Sequence, residues 1–163
     1  MNNDSNLRST RILLLIFIVC LFVSGLTAIP VHAELSFLEE YFSATSWIGY
    51  WIREVHSAYN EVSEQHPFLF YGYDWLAFAH FILAILFIGP YRDPVRNIWV
   101  IHFGLIACLL VIPFAFTAGY FRGIPIGWRL IDCSFGIGGI ILLQKVLIQI
   151  RRIHAGPDSI SIA

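Results

Sequence analysis

Residues 94–118 read PVRNIWVIHFGLIACLLVIPFAFTA, and no Asp, Glu, Lys or Arg follows Arg96 in this stretch. A run of about 18 or more apolar residues without charge is long enough, as a helix, to cross a bilayer. Residues 74–89 and 126–151 are also strongly apolar. The sequence therefore predicts an all-α integral membrane protein whose three-helix transmembrane bundle has its spans at 74–89, 94–118 and 126–151.

The composition of the whole chain agrees with this class. Of its 163 residues, 58% are hydrophobic and 13% are charged, whereas a soluble domain carries about 25% charged residues. A globule of this size leaves much of its surface exposed and cannot bury so much apolar area. The lipid bilayer is therefore the expected surrounding. Lysine and arginine form no basic stripe, which excludes nucleic acid as a partner.

The first 33 residues have the pattern of a secretory signal peptide. Arg8 and Arg11 precede an apolar run at 12–23, and small or aliphatic residues lead to Ala33. This pattern predicts cleavage after Ala33. An uncleaved signal anchor is the alternative, because residues 12–29 are about long enough to span a slightly thinned bilayer. The bundle would then have four helices.

Residues 34–73 form the main segment outside the predicted spans. Apolar and aromatic side chains recur in it at intervals of three, four or seven, which is the spacing of one helical face. These residues are Phe37, Tyr41, Ile48, Ile52, Val55, Tyr59 and Val62. We therefore predict an amphipathic helical segment that lies in the membrane interface or contacts other membrane proteins.

The basic residues predict the orientation of the helices. Arg92 lies between the first two spans and Arg96 lies at the start of the second, and two more arginines, at 151–152, lie at the end of the last span. Short loops rich in lysine and arginine stay in the cytoplasm. We therefore expect a multi-pass protein of the cell membrane, with residues 34–73 extracytoplasmic and the tail at 154–163 cytoplasmic.

Two histidines lie inside the predicted spans, where ionisable side chains are costly and often functional. His80 and His102 each lie roughly 12–14 Å from the turn joining their helices, at a rise of about 1.5 Å per residue. Paired histidines can supply both axial ligands of a haem, so these two are the candidate cofactor-binding residues, for haem b. Neighbouring helices pack about 8–10 Å apart. A haem therefore fits better across a bundle or between two subunits of a homo-oligomer.

Other interpretations of the histidines remain open. Each could form a hydrogen bond with a neighbouring helix, as polar groups in membrane bundles do, or could contact a proton or a quinone. The histidines and glutamates outside the spans, His56, Glu61, Glu64 and His66, lack the spacing of a metal motif and are interpreted as a solvated face.

The last predicted span carries two charges and several glycines near its outer end. Arg129 and Asp132 are three residues apart, so they can form a structural ion pair on one helix face. An anion or substrate site at the outer mouth is the alternative. Gly136 and Gly139, by contrast, are predicted to let another helix approach closely.

No catalytic residue is assigned, because the sequence contains no recognisable nucleophile and base, no phosphate-binding glycine loop and no metal signature. The sequence favours a non-enzymatic accessory or structural component of a membrane assembly. The alternative function is a small membrane redox protein that binds b-type haem through His80 and His102.

Overall fold

The computed structural model describes residues 3–154, which are almost entirely helical and contain no strand. The α-helices are α1 (Asn3–Thr27), α2 (Val31–Tyr41), α3 (Trp47–Gln65), α4 (Tyr71–Leu86), α5 (Ile88–Arg92), α6 (Ile98–Phe121) and α7 (Ile126–His154), and a short 3₁₀ helix covers Pro67–Phe70. The described residues include four stretches long and apolar enough to cross a membrane, namely Ser5–Thr27, Pro67–Arg92, Ile98–Phe121 and Ile126–Ile153. The predicted all-α membrane bundle is confirmed.

Two predictions concern the ends of the chain, namely the tail at 154–163 and cleavage after Ala33. All but the first residue of the predicted tail lies outside the described residues. The bond after Ala33 lies in the first turn of α2. Cleavage there stays a prediction.

The structure corrects the start of the central span. The sequence predicts a span from residue 94, but α6 begins at Ile98 and Asn97 is its N-cap. Asp93, just before this span, accepts a hydrogen bond from the backbone N–H of Arg96 at 3.0 Å. The amide of Asn97 also donates to the carbonyl oxygen of Asp93, at 3.0 Å. These bonds hold the Asp-Pro segment as a turn, so the helix starts one turn later.

The described residues form two compact units, one from residues 3–19 and 84–154 and the other from Cys20–Leu83. In the first unit, α6 packs closely against α7 at glycines. A Cβ atom at Gly136 would lie 2.7 Å from the carbonyl oxygen of Cys108, and one at Gly139 would lie 2.5 Å from the Cys108 sulfur. The close helix approach predicted at these two glycines is confirmed.

Helix α1 contributes its N-terminal half to the first unit. Thr10 and Leu14 are fully buried. The Thr10 hydroxyl donates to Gln149 Oε1 of α7 at 2.9 Å, and Gln149 Nε2 donates in turn to the hydroxyl of Ser9 at 2.8 Å. Polar groups at membrane depth need such partners because lipid offers none. The first helix therefore packs on the last through both apolar and polar contacts.

The second unit contains a helical hairpin made of α2 and α3. Ser46 caps α3 by accepting the backbone N–H of Gly49 at 3.0 Å, and Ile52 of α3 is buried. The rings of Tyr59 and Phe70 lie 4.4 Å apart and join α3 to the 3₁₀ helix. The apolar stripe predicted over residues 34–73 is thus divided between two helices, and part of it is buried in their contact.

Candidate functional site

His80 forms a hydrogen bond within its own helix. Its Nδ1 atom lies 2.8 Å from the carbonyl oxygen of Leu76, one turn earlier in α4. A carbonyl oxygen can only accept, so Nδ1 carries the proton and donates. Within the described residues the other ring nitrogen, Nε2, has no hydrogen-bond partner. The side chain therefore keeps one nitrogen available for a ligand.

His102 lies on α6 and is exposed on the surface of the first compact unit, whereas His80 belongs to the second unit. No hydrogen bond joins the His102 ring to any described residue. Among those residues, no three His, Cys, Asp or Glu side chains are grouped so that they could hold a metal ion. Neither histidine therefore belongs to such a group among the described residues.

The predicted ion pair between Arg129 and Asp132 is absent from the structure. Arg129 Nε donates instead to the carbonyl oxygen of Ile124 at 2.7 Å, and its side chain packs over Gly119. Asp132 is exposed and has no hydrogen-bond or ion-pair partner among the described residues. Arg129 thus bonds the carbonyl oxygen of Ile124, just before α7, and not the carboxylate of Asp132, because the arginine side chain already lies over Gly119 on that side.

A polar cluster lies between α2 and α3 and centres on Glu39, which the sequence did not single out as a site residue. Arg53 Nη1 donates to Glu39 Oε1 at 2.8 Å, and Nδ1 of His56 donates to the other carboxylate oxygen. Side-chain exposure falls from 43% for Arg53 to 29% for Glu39 and 14% for His56. We call these three residues the hairpin clasp.

The pKa of the Glu39 carboxyl is lowered from its ordinary value. The hydrogen bond from His56 is the largest cause, and the positive charge of Arg53 adds to it. Both effects stabilise the ionised carboxylate. The clasp therefore acts as an electrostatic link between the two helices of the hairpin.

Ser36 extends the hairpin clasp, so that a serine, a histidine and a glutamate follow one another as in a hydrolase triad. The Ser36 hydroxyl lies 3.4 Å from Nε2 of His56. Its proton, however, is donated to the carbonyl oxygen of His32 at 2.9 Å. Ser36 also lies inside α2, where backbone N–H groups are bonded within the helix, so no oxyanion donors adjoin it. The arrangement serves to join helices rather than to activate a nucleophile.

The sequence held only a partial signal for the clasp. Glu39 is separated from Arg53 by 14 residues and from His56 by 17. A pairing at such distances depends on where the hairpin turns, and periodicity does not locate a turn. The signal that places the turn is Ser46, because serine is a favoured N-cap residue and a new apolar stripe starts directly after it.

The chain matches no protein-family model, no curated protein and no solved structure. Its function is therefore inferred from the placement of its polar side chains.

Proposed function

We propose that the protein is an accessory or structural subunit of a membrane assembly, in which a transmembrane helix of a partner covers Asp132. One observation carries the proposal: Asp132 lies in the long apolar helix α7, exposed and without a partner among the described residues. A carboxylate facing lipid is costly, and carboxylates inside spans normally face protein or water. A helix of a second chain would supply the hydrogen-bond or ion-pair partner that Asp132 lacks among the described residues.

The spacing of charges along α7 supports placing Asp132 within the membrane. The helical rise from Asp132 to Lys145 is about 20 Å, whereas the hydrocarbon core of a bilayer is about 30 Å thick. At least one of these two charges must therefore lie below the membrane surface. Lysine has a four-carbon stem and reaches the interface by snorkelling. The short side chain of aspartate reaches far less, so Asp132 bears the cost.

The neighbours of Asp132 suit a helix contact. Phe135 is 72% exposed and Ile131 is 43% exposed on the outer surface of α7. Lipid solvates these two side chains well but leaves the carboxylate unsatisfied. A partner helix with a basic or hydrogen-bond-donating side chain at this depth would satisfy all three. Interhelical hydrogen bonds of this kind contribute roughly 1–2 kcal/mol in model peptides.

The test compares assemblies carrying Asp132→Leu and Ser134→Ala. Tagged full-length protein is extracted from native membranes in mild detergent, and its assembly is measured on native gels, with partners identified by crosslinking. We expect Asp132→Leu to reduce recovery of the assembly by roughly fivefold to thirtyfold, as follows from 1–2 kcal/mol. Leucine suits lipid, so the chain itself should still insert.

Ser134→Ala is the matched control, because Ser134 is also exposed on α7 but its hydroxyl donates to the carbonyl of Ile131 in its own helix, at 2.6 Å. It should leave the assembly intact. A wild-type chain that migrates alone, or an assembly indifferent to Asp132→Leu, would refute the proposal.

Haem b binding is the second candidate function, and the bonding of His80 is the observation that favours it. Histidines that ligate metals commonly donate their other ring N–H to a carbonyl or carboxylate, as Nδ1 of His80 does to Leu76. Purified protein from haem-replete cells should then show a Soret band that His80→Ala and His102→Ala abolish and His66→Ala, outside the spans, does not. A wild type without Soret absorbance rules haem out.

A further inference from the structure

A groove of ≈ 370 Å³ opens on the first compact unit between α1 and α5. Its walls are formed by Leu7, Arg8, Arg11, Ile12, Leu15 and Tyr91. The volume falls within the range of about 300–1,000 Å³ that is typical of ligand clefts. The groove thus combines two arginines, a tyrosine and an apolar floor.

Along α1, the basic side chains of the groove come first and the apolar ones follow. This order matches an amphiphile that lies along the helix with its polar head at the arginines. Arg8 and Arg11 are three residues apart and share a helix face with Ile12 and Leu15. Ile12 is 50% exposed and Leu15 is 47% exposed. Leu15 lies about 6 Å deeper along the helix axis than Arg11. A ligand in the groove would meet positive charge first and apolar surface below it.

The two arginines retain donors for an anion. Arg11 uses one N–H, from Nη2, to bond the carbonyl oxygen of Arg92 at 3.3 Å. A guanidinium has five such donors, so this bond orients the group without exhausting it. The only acid in the turn after α5, Asp93, accepts from the backbone N–H of Arg96. Among the side chains that the structure describes, no acid lines the groove.

We propose that this groove binds an anionic glycerophospholipid, with the phosphodiester between Arg8 and Arg11 and an acyl chain over Ile12 and Leu15. Arginine binds phosphate oxygens in bidentate fashion, and basic pockets beside transmembrane helices bind anionic head groups. The apolar floor distinguishes a lipid from a soluble phosphate, which would leave Ile12 and Leu15 uncovered. The proposal is independent of any partner at Asp132, and it takes the N-terminal segment as the uncleaved signal anchor.

The test measures lipid binding to the full chain by native mass spectrometry in detergent. Dioleoylphosphatidylglycerol is compared with dioleoylphosphatidylcholine, which has the same chains but no net charge. A basic side chain near a membrane surface contributes about fivefold in affinity. We therefore expect wild type to prefer the anionic lipid by about 30-fold and Arg8→Gln/Arg11→Gln to lose that preference. Arg8→Lys/Arg11→Lys should keep part of it.

The matched control is Arg151→Gln/Arg152→Gln, which removes two charges at the same end of the unit, because Gln149 of α7 bonds Ser9 and Thr10. It should leave the preference unchanged. A second variant, Ile12→Trp, fills the floor and should weaken binding of both lipids while all charges remain. Circular dichroism verifies that each variant stays helical.

Three outcomes would overturn the proposal. Equal losses in the two double-glutamine variants would show a general charge effect rather than a site. Displacement of the lipid by glycerol phosphate or inorganic phosphate at equal affinity would assign the groove to a soluble phosphate. A purified chain whose mass shows that it starts at Glu34 would lack the groove altogether.

Discussion

Replacement of Gly136 by valine is expected to separate α6 from α7 and sharply reduce the yield of folded protein. A Cβ atom there would lie 2.7 Å from the carbonyl oxygen of Cys108 and 3.3 Å from Cβ of Val111. A backbone oxygen cannot rotate away as a long side chain can, so the helices themselves must move apart. Overpacking a close contact typically costs about 1–3 kcal/mol, and valine adds two methyl groups beyond the clash.

Gly138→Val is the matched control for this prediction. Gly138 lies on the same helix, and a Cβ atom there would meet nothing within 4 Å. Both variants carry the same change in helix propensity and hydrophobicity. Thermal unfolding in detergent, followed by circular dichroism, should show a large loss of stability for Gly136→Val alone. Equal stability of the two variants would mean that the close contact between α6 and α7 is not formed.

Reversal of the charge at Glu39 is expected to open the α2–α3 hairpin. In Glu39→Lys a positively charged side chain would replace the carboxylate that Arg53 and His56 now share. We expect several-fold faster proteolysis in the turn at residues 42–46, while the transmembrane helices stay intact. Glu40→Lys is the matched control, because Glu40 is exposed, adjacent and makes no ion pair among the described residues.

The combined variant Glu39→Arg/Arg53→Glu provides a rescue. It restores one opposite-charge pair between the helices and should slow proteolysis again. If Glu40→Lys accelerates cleavage as much as Glu39→Lys does, net charge rather than the clasp controls the hairpin.

Acid should have the same effect on the wild type. The hydrogen bond from His56, followed by the charge of Arg53, lowers the folded-state pKa of Glu39 below its ordinary value of 4.5. The clasp therefore contributes its full stability above pH 4.5 and loses it as the pH falls through the folded-state pKa. Proteolysis of the turn by an acid-active protease should accelerate in that window for wild type and stay constant for Glu39→Gln.

The sequence predicted the all-α membrane class well, because that class depends on properties that are summed over many residues. An apolar run without charges that is long enough, as a helix, to cross the bilayer is compatible with few structures other than a transmembrane helix. Helix ends depend on single hydrogen bonds instead. Helix α6 begins after Asn97, whose side chain donates to the carbonyl oxygens of Gly89 in α5 and of Asp93 in the turn.

The polar sites were harder to predict because they depend on competition between partners. Arg129 and Asp132 have the spacing of an ion pair, yet Arg129 bonds the carbonyl oxygen of Ile124. That carbonyl belongs to a turn whose shape no periodicity encodes. The clasp at Glu39 likewise required the hairpin turn. The close contact at Gly136 was predictable, since a small residue on an apolar helix has few other uses.

The hydrogen bonds that join Ser9 and Thr10 to Gln149 have a consequence for the synthesis and membrane insertion of the protein. They join positions 139 and 140 residues apart along the chain. Helices enter a membrane one by one as they are made and associate afterwards. In the uncleaved chain, the hydroxyl groups of Ser9 and Thr10 therefore lack their Gln149 partner until the last helix has been synthesised and inserted.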